Sequence, residues 1–248
     1  MLHKTRGISL HLVKYSETSI IAKVYTELFG LQSYLVRGIR RQHSKIRPGL
    51  FQPLTLLDMT VYHKEKRGIQ SLKEVHNLHP YITLTTDIRK SSIALFVNEL
   101  IYKSIREEEA NQELFDFLFG TCVELDAVTE SLGLFPLLFT IRFSKFLGII
   151  PQVDDSTENS VFNLQDGVFQ DHKPAHSYFL EPPLSFILKD IIRDETTLTP
   201  PLQNAKSEQR IAFGVRNELL EQMLLYYQLH LPEFREINSH RVLHTVLA

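Results

Sequence analysis

The sequence has one cysteine, Cys122, in 248 residues. An internal disulfide is therefore impossible, and so is a multi-cysteine zinc site. A lone thiol fits a reducing compartment. Long apolar runs are also missing. The longest, Leu132 to Ile141, is about half of what a spanning helix needs. The opening Met-Leu-His-Lys-Thr-Arg lacks the pattern of a signal peptide, so a cytoplasmic protein with no membrane partner is expected. No Gly-x-Gly occurs, which removes the dinucleotide fingerprint, and there is no phosphate loop of the Walker type. An HExxH zinc helix is absent as well, as are internal repeats and low-complexity tracts.

The catalytic vocabulary is equally thin. His172 and His176 are four residues apart, as are His240 and His244, but Pro174 interrupts the first pair and neither has an evident third ligand. Cys122 sits beside Val123 and Leu125 with no activating base in view, so a buried structural thiol is expected. Carboxylates after residue 80 read as solvated helix faces rather than a paired acid and base. The expectation is a protein that is not an enzyme and carries no metal or cofactor.

What is there is an uneven charge. The whole chain has 27 Lys+Arg and 29 Asp+Glu, net −2. Residues 1–80 hold 13 Lys and Arg against five acids (13 − 5 = +8), leaving −10 for the rest (14 − 24). Such asymmetry suggests two parts with different partners. A basic domain attracts polyanions, nucleic acid being the commonest. The alternative is that the basic part docks on the acidic part. Hydrophobic residues make up 43% of the chain, enough for a packed core at this length.

The basic part reads as strands. Apolar residues alternate in Gly7–Leu12, and Ser19–Thr26, Leu31–Val36, Leu54–Tyr62 and Ile69–Val75 are rich in β-branched and aromatic residues. Five short strands suit a small closed barrel, and the five-stranded barrel that binds nucleic acid is the OB-fold. Between the third and fourth strands, residues 37–49 carry Arg37, Arg40, Arg41, Lys45 and Arg47 and no acid. Such a loop can lay cations along a phosphate backbone, each releasing counterions; the alternative is a solvated surface loop. Tyr15, Tyr25, Phe29, Tyr34, Phe51 and Tyr62 are interleaved with these cations; most are expected to be core residues, and at most one or two of them stacking platforms.

From Asp87, a candidate N-cap, the pattern becomes helical. One helix runs to about Glu107, Asn111 opens a second, and Leu134–Leu147 forms a third, nearly all apolar. Val161–Phe169 reads as a hairpin around Asp166-Gly167. Helices follow over Leu184–Ile192, Ala205–Leu229 and after Ser239. The expected class is α+β multidomain: an OB-fold β-barrel over 1–80, an α-helical bundle domain in two parts over 81–149 and 184–248, and a small β-hairpin insert over 150–183.

Several short motifs occur in an order that resembles the RecO family of bacterial recombination mediators. They are Thr5-Arg6-Gly7-Ile8-Ser9-Leu10, Tyr15-Ser16-Glu17-Thr18-Ser19-Ile20-Ile21, Tyr25-Thr26, Phe29-Gly30, Val36-Arg37-Gly38-Ile39-Arg40 and Leu50-Phe51-Gln52-Pro53-Leu54. The exit of the third helix, Arg142…Lys145-Phe146-Leu147-Gly148-Ile149-Ile150-Pro151, and the terminal Ser239-His240-Arg241-Val242-Leu243 fit too. The resemblance runs the length of the chain and is strongest over residues 5–54. It implies an OB-fold followed by a helical domain, binding to single- and double-stranded DNA, and strand annealing. It also implies partnership with RecR and with the C-terminal tail of SSB, in order to load RecA onto SSB-coated strands. On this chain the implied DNA contacts are Arg37, Arg40, Arg41, Lys45 and Arg47, with Lys4, Arg6, Lys23, Lys64, Lys66 and Arg67 around them. Arg142 and Lys145 are the implied receptors of the acidic SSB tail. Several members carry a four-cysteine zinc module within the helical domain. Residues 150–183 contain no cysteine, so no zinc is expected here. Two other readings stay open: an OB-fold RNA-binding protein, and an adaptor whose basic domain binds an acidic protein.

Overall fold

A computed structural model of the chain describes residues 1–39, 46–65, 67–129, 132–153, 160–193 and 211–247. The chain divides into two compact units, Met1–Ala127 and Val128–Ala248.

The first unit is built on strands β1 (Leu2–Lys14), β2 (Ile20–Thr26), β3 (Gly30–Val36), β4 (Leu56–Tyr62) and β5 (Gln70–Asn77). They close into a barrel of order β1-β2-β3-β5-β4. All pairings are antiparallel except β3 with β5, which is parallel through Tyr34↔Gln70 and Leu35↔Ser71. This is the OB-fold expected from the five short strand segments.

β1 is longer than its alternating core because it serves two neighbours. Leu2–Ile8 pairs with β4 and Gly7–Lys14 with β2, with a bulge between Ser9 and His11. The ranges overlap at Gly7 and Ile8, and at Gly7 a Cβ would lie 2.7 Å from both the Met59 sulfur and Val24 Cγ1. No side chain fits where the strand bends through the barrel. Alternate residues then fill the interior: Ala22, Val24, Tyr34, Val36, Leu57, Met59, Val61 and Val75. Ile39 and Phe51, with the half-buried Ile46, pack on the same core. They pin the chain on both sides of residues 40–45.

Two helices complete this unit. Asp87 caps α1 (Ile88–Ser104) by accepting from Arg89 N at 2.8 Å, and Asn111 Oδ1 accepts from Leu114 N at 3.0 Å where α2 (Gln112–Ala127) begins. α1 and the segments before and after it are tied to the barrel by specific bonds. Asn98 Nδ2 donates to Leu10 O at 3.0 Å, Leu31 N to Glu107 O at 3.0 Å, and Tyr81 Oη to Leu54 O at 2.6 Å. The boundary between units thus falls after α2, within the 81–149 stretch.

The second unit contains α3 (Phe135–Phe146), a three-stranded sheet and three more described helices. The sheet has order β7-β6-β8, from β6 (Val161–Asn163), β7 (Val168–Gln170) and β8 (Phe179–Leu180). The expected hairpin is β6–β7, turned at Gly167 with φ +71°. The helices are α4 (Leu184–Arg193), α5 (Phe213–His230) and α6 (His240–Val246). The helix expected over Ala205–Leu229 is described from Phe213 onward; residues 205–210 lie outside the described residues. Tyr227 Oη donates to Thr140 O at 2.7 Å in the buried seam between α5 and α3.

Candidate nucleic-acid interface

The barrel sorts its cations into two sets. The first set is claimed by the unit itself. Arg6 Nη2 and Nε bond Glu27 at 2.8 and 2.9 Å, and Nη2 also reaches Asp116 at 3.3 Å. Its guanidinium lies over Phe115 and Phe119, 5.0 and 5.2 Å from the ring centroids. The bond from Arg6 holds the Glu27 carboxyl below its ordinary range against the opposing effect of burial. Lys23 Nζ sits 5.6 Å from the Tyr102 centroid, and the same Tyr102 ring stacks on His11 at 4.8 Å. Tyr25 is buried against Phe115, and burial pushes its phenol up to about 12. α1 and α2 therefore pack along part of the outer face of β1 and β2. Arg6 and Lys23, two of the sequence-derived DNA contacts, lie half-buried along this seam. Of the two only Arg6 meets an acid beyond residue 80, Asp116, as the docking alternative expects; Lys23 meets a ring.

The second set faces solvent: Lys4, Lys14, Arg37, Arg47, Lys64 and Arg67 are all exposed. Among the described residues none of these six forms an ion pair. They fall at two ends of the barrel. At one end Lys14, Ile20 and Val36 stand in register across three strands, and Arg37 follows Val36. Two strand spacings separate Lys14 and Arg37 by about 10 Å. Tyr15, 61% exposed, stands beside them. The chain then leads into residues 40–45, so Arg40, Arg41 and Lys45 lie outside the described residues. Arg47 resumes it, ahead of a 3-10 turn at Pro48–Phe51 in a stretch read from sequence as loop.

At the other end Leu2, Tyr62 and Ser71 stand in register, and Tyr62 is 48% exposed. Lys4 pairs with Thr60 on the same strands. The β4–β5 loop begins here and carries Lys64 and Arg67; Lys66 lies outside the described residues. Gln70 shapes this loop. Its buried side chain accepts from Lys64 N at 3.0 Å and donates to Lys64 O at 2.9 Å and Arg67 O at 2.7 Å. A turn from Arg67 N to Lys64 O at 3.1 Å completes it. The two cations are held on an ordered backbone, which lowers the entropy lost on binding a polyanion.

The aromatic candidates are narrowed in the same way. Tyr25, Tyr34 and Phe51 are core residues, and Phe29 is half-buried against His63. Tyr15 and Tyr62 alone of the six present exposed rings next to exposed cations.

The implied tail receptors separate too. Arg142, 4% exposed, is buried within α3, whereas Lys145 in its last turn is exposed. Burial pushes the Cys122 thiol up to about 12, as expected of a structural residue. His176 Nδ1 accepts from Tyr178 N at 3.2 Å, and His240 Nδ1 meets Ile237 O at 2.7 Å. No group of three His, Cys, Asp or Glu side chains placed to hold a metal occurs among the described residues. With no cysteine in residues 150–183, the donor set does not fit a four-cysteine zinc module. No described helix is long and apolar enough to cross a membrane.

Gln70, Tyr102 and Glu27 escaped the sequence reading. The faint signal for Gln70 is a glutamine where the strand pattern calls for an apolar residue.

Comparison with known proteins agrees with this architecture. The model of the recombination protein O N terminal matches residues 1–81, and that of the recombination protein O C terminal matches residues 85–176. The DNA repair protein RecO of Phocaeicola vulgatus is 35% identical over 243 residues, covering 98% of both chains. That of Bacteroides fragilis is 34% identical over 244 residues with the same coverage. That of Azobacteroides pseudotrichonymphae is 32% identical over 246 residues, covering 99% of both. With its five-stranded barrel, its following helices and full-length similarity to these proteins, the chain belongs to the RecO family of DNA repair proteins.

Proposed function

We propose that the protein binds single- and double-stranded DNA through the two exposed cationic ends of its barrel and anneals complementary strands. With RecR, it helps load RecA onto SSB-coated single strands. It works in the cytoplasm and without covalent catalysis. Cations that bridge two strands screen their repulsion while the bases pair. The observation that carries this reading is the set of six exposed barrel cations outside any described ion pair, in a chain of this family. Lys145, exposed at the end of α3, is the side chain offered to the acidic, apolar tail of SSB.

The experiment is equilibrium binding of a labelled single-stranded DNA oligonucleotide across a salt series, with matched RNA. If four to six phosphates are engaged, the slope of log K against log salt is about −3 to −4. Tight binding with that slope and no preference for ribose supports the reading. A clear preference for RNA favours an RNA-binding role, and no binding at low salt favours an adaptor for an acidic protein.

A further inference from the structure

One cluster beside the β4–β5 loop is explained neither by the barrel core nor by the lysines and arginines above. Phe29, from the β2–β3 turn, stacks on His63 with centroids 3.9 Å apart and planes at 7°. His3, on β1, meets Phe29 edge-on at 5.2 Å and His63 at 6.4 Å. The backbone fixes the arrangement. His63 N donates to Met1 O at 3.0 Å, and the Met1 amine donates to His63 O at 2.8 Å. His63 Nδ1 is buried with no hydrogen-bond partner.

An apolar side chain would pack on Phe29 without leaving a ring nitrogen unpaired. Two imidazoles here instead place two titratable groups next to Lys64, the first cation of the loop. The ionisable groups facing His63 are His3 from β1, the Met1 amine just before it, and Glu65 from its own loop. The β2–β3 turn offers no ionisable side chain between Glu27, which Arg6 engages, and Gln32. β5 offers Gln70, which is neutral. Burial, then His3 and the amine, hold His63 below the ordinary histidine range. In the free protein at neutral pH its ring is therefore uncharged. A phosphate brought to the loop by Lys64 and Arg67 reverses this balance, because an adjacent anion favours the imidazolium.

We propose that His3 and His63, gathered around Phe29, form a proton-linked phosphodiester subsite at the base of the β4–β5 loop. Nucleic acid binding then takes up protons from solvent onto ring nitrogens. The inference rests on the DNA-binding reading above and adds to it a pH dependence that Lys and Arg cannot supply.

The test is binding of the same labelled single strand at constant ionic strength from pH 7.5 to pH 5.8. The wild type is expected to bind about fivefold to tenfold more tightly at the acid end, each histidine contributing at most one proton. The double variant His3→Gln, His63→Gln should show less than about a twofold change. A control pair, His11→Gln with His76→Gln, should keep the full change. Imidazole NMR titration of the wild type reads the same linkage without substitution: added oligonucleotide should raise the pKa of His63. Wild-type binding that ignores pH, a histidine double variant that keeps the full change, or unmoved imidazole titrations overturn the inference and leave DNA binding standing. Absence of binding at every pH overturns both.

Discussion

Asp126 is the residue whose removal should cost the first unit most. It is 7% exposed at the end of α2. Its carboxylate accepts the backbone N–H groups of Ile82 at 3.0 Å, Thr83 at 2.8 Å and Leu84 at 2.7 Å, in the segment that joins the barrel to α1. Its carbonyl accepts from Thr83 Oγ1 at 2.5 Å and from the buried Lys90 Nζ at 2.6 Å. A hydrogen bond to a charged group is worth about 1.5–3 kcal/mol net, and these three share one anion and do not simply add. Asp126→Ala leaves three amides without their acceptor, so a loss of about 3–5 kcal/mol is expected. Asp126→Asn keeps one oxygen and should cost about half of that. Burial pushes the carboxyl up, but the backbone donors outweigh it and hold it below its ordinary value. A depressed carboxylate contributes stability that is fully present above the unfolded value of about 3.9 and is lost as pH falls through the folded value. Urea melts of the full chain at pH 7 and across pH 5 to 3, with amide exchange read at residues 82–84, measure both effects. A loss under about 0.5 kcal/mol, or an acid transition of the same size in Asp126→Asn as in the wild type, refutes this account of the joint.

Three further outcomes follow from close packing and local bonding. Gly7→Ala places a methyl against Met59 and Val24 and should lower stability by about 1–3 kcal/mol in the same urea assay. Gln70→Ala frees the backbone of the β4–β5 loop, so DNA binding should weaken about threefold to tenfold while overall stability falls by only about 1–2 kcal/mol. Cys122, buried with its thiol pushed up to about 12, should resist iodoacetamide at pH 8 in the native chain and react on unfolding; rapid native alkylation contradicts the burial.

The barrel was legible in the sequence because Gly7–Leu12 alternates and the other four segments are short runs of β-branched and aromatic residues separated by turn residues. The cap at Asp87 and the helix start at Asn111 were legible because both depend on neighbouring residues alone. β8 was not, since two residues carry no period, and it exists only through its pairing with β6. The site was half legible. Composition marked the barrel as basic, but it cannot tell Arg6, paired with acids 21 and 110 residues away, from Lys64, which faces water. Nor can it tell the core ring of Tyr34 from the exposed ring of Tyr62. The first distinction depends on where α2 packs on the barrel, the second on which side chains the closed barrel takes inside. Arg142 shows the same limit in α3, where a charged residue reads as a surface group and is buried.

The central claim is that the exposed cations at the ends of the barrel hold DNA and that the helix-covered cations do not. The direct measurement is the salt slope of single-strand binding for the variant Lys64→Gln, Arg67→Gln beside Lys23→Gln. Neutralising one cation that meets a phosphate of a single strand shallows the slope by about 0.7. The loop variant should therefore be shallower by about 1.4, with Lys23→Gln unchanged. A loop variant with the wild-type slope, or a slope reduced as much by Lys23→Gln, contradicts the account.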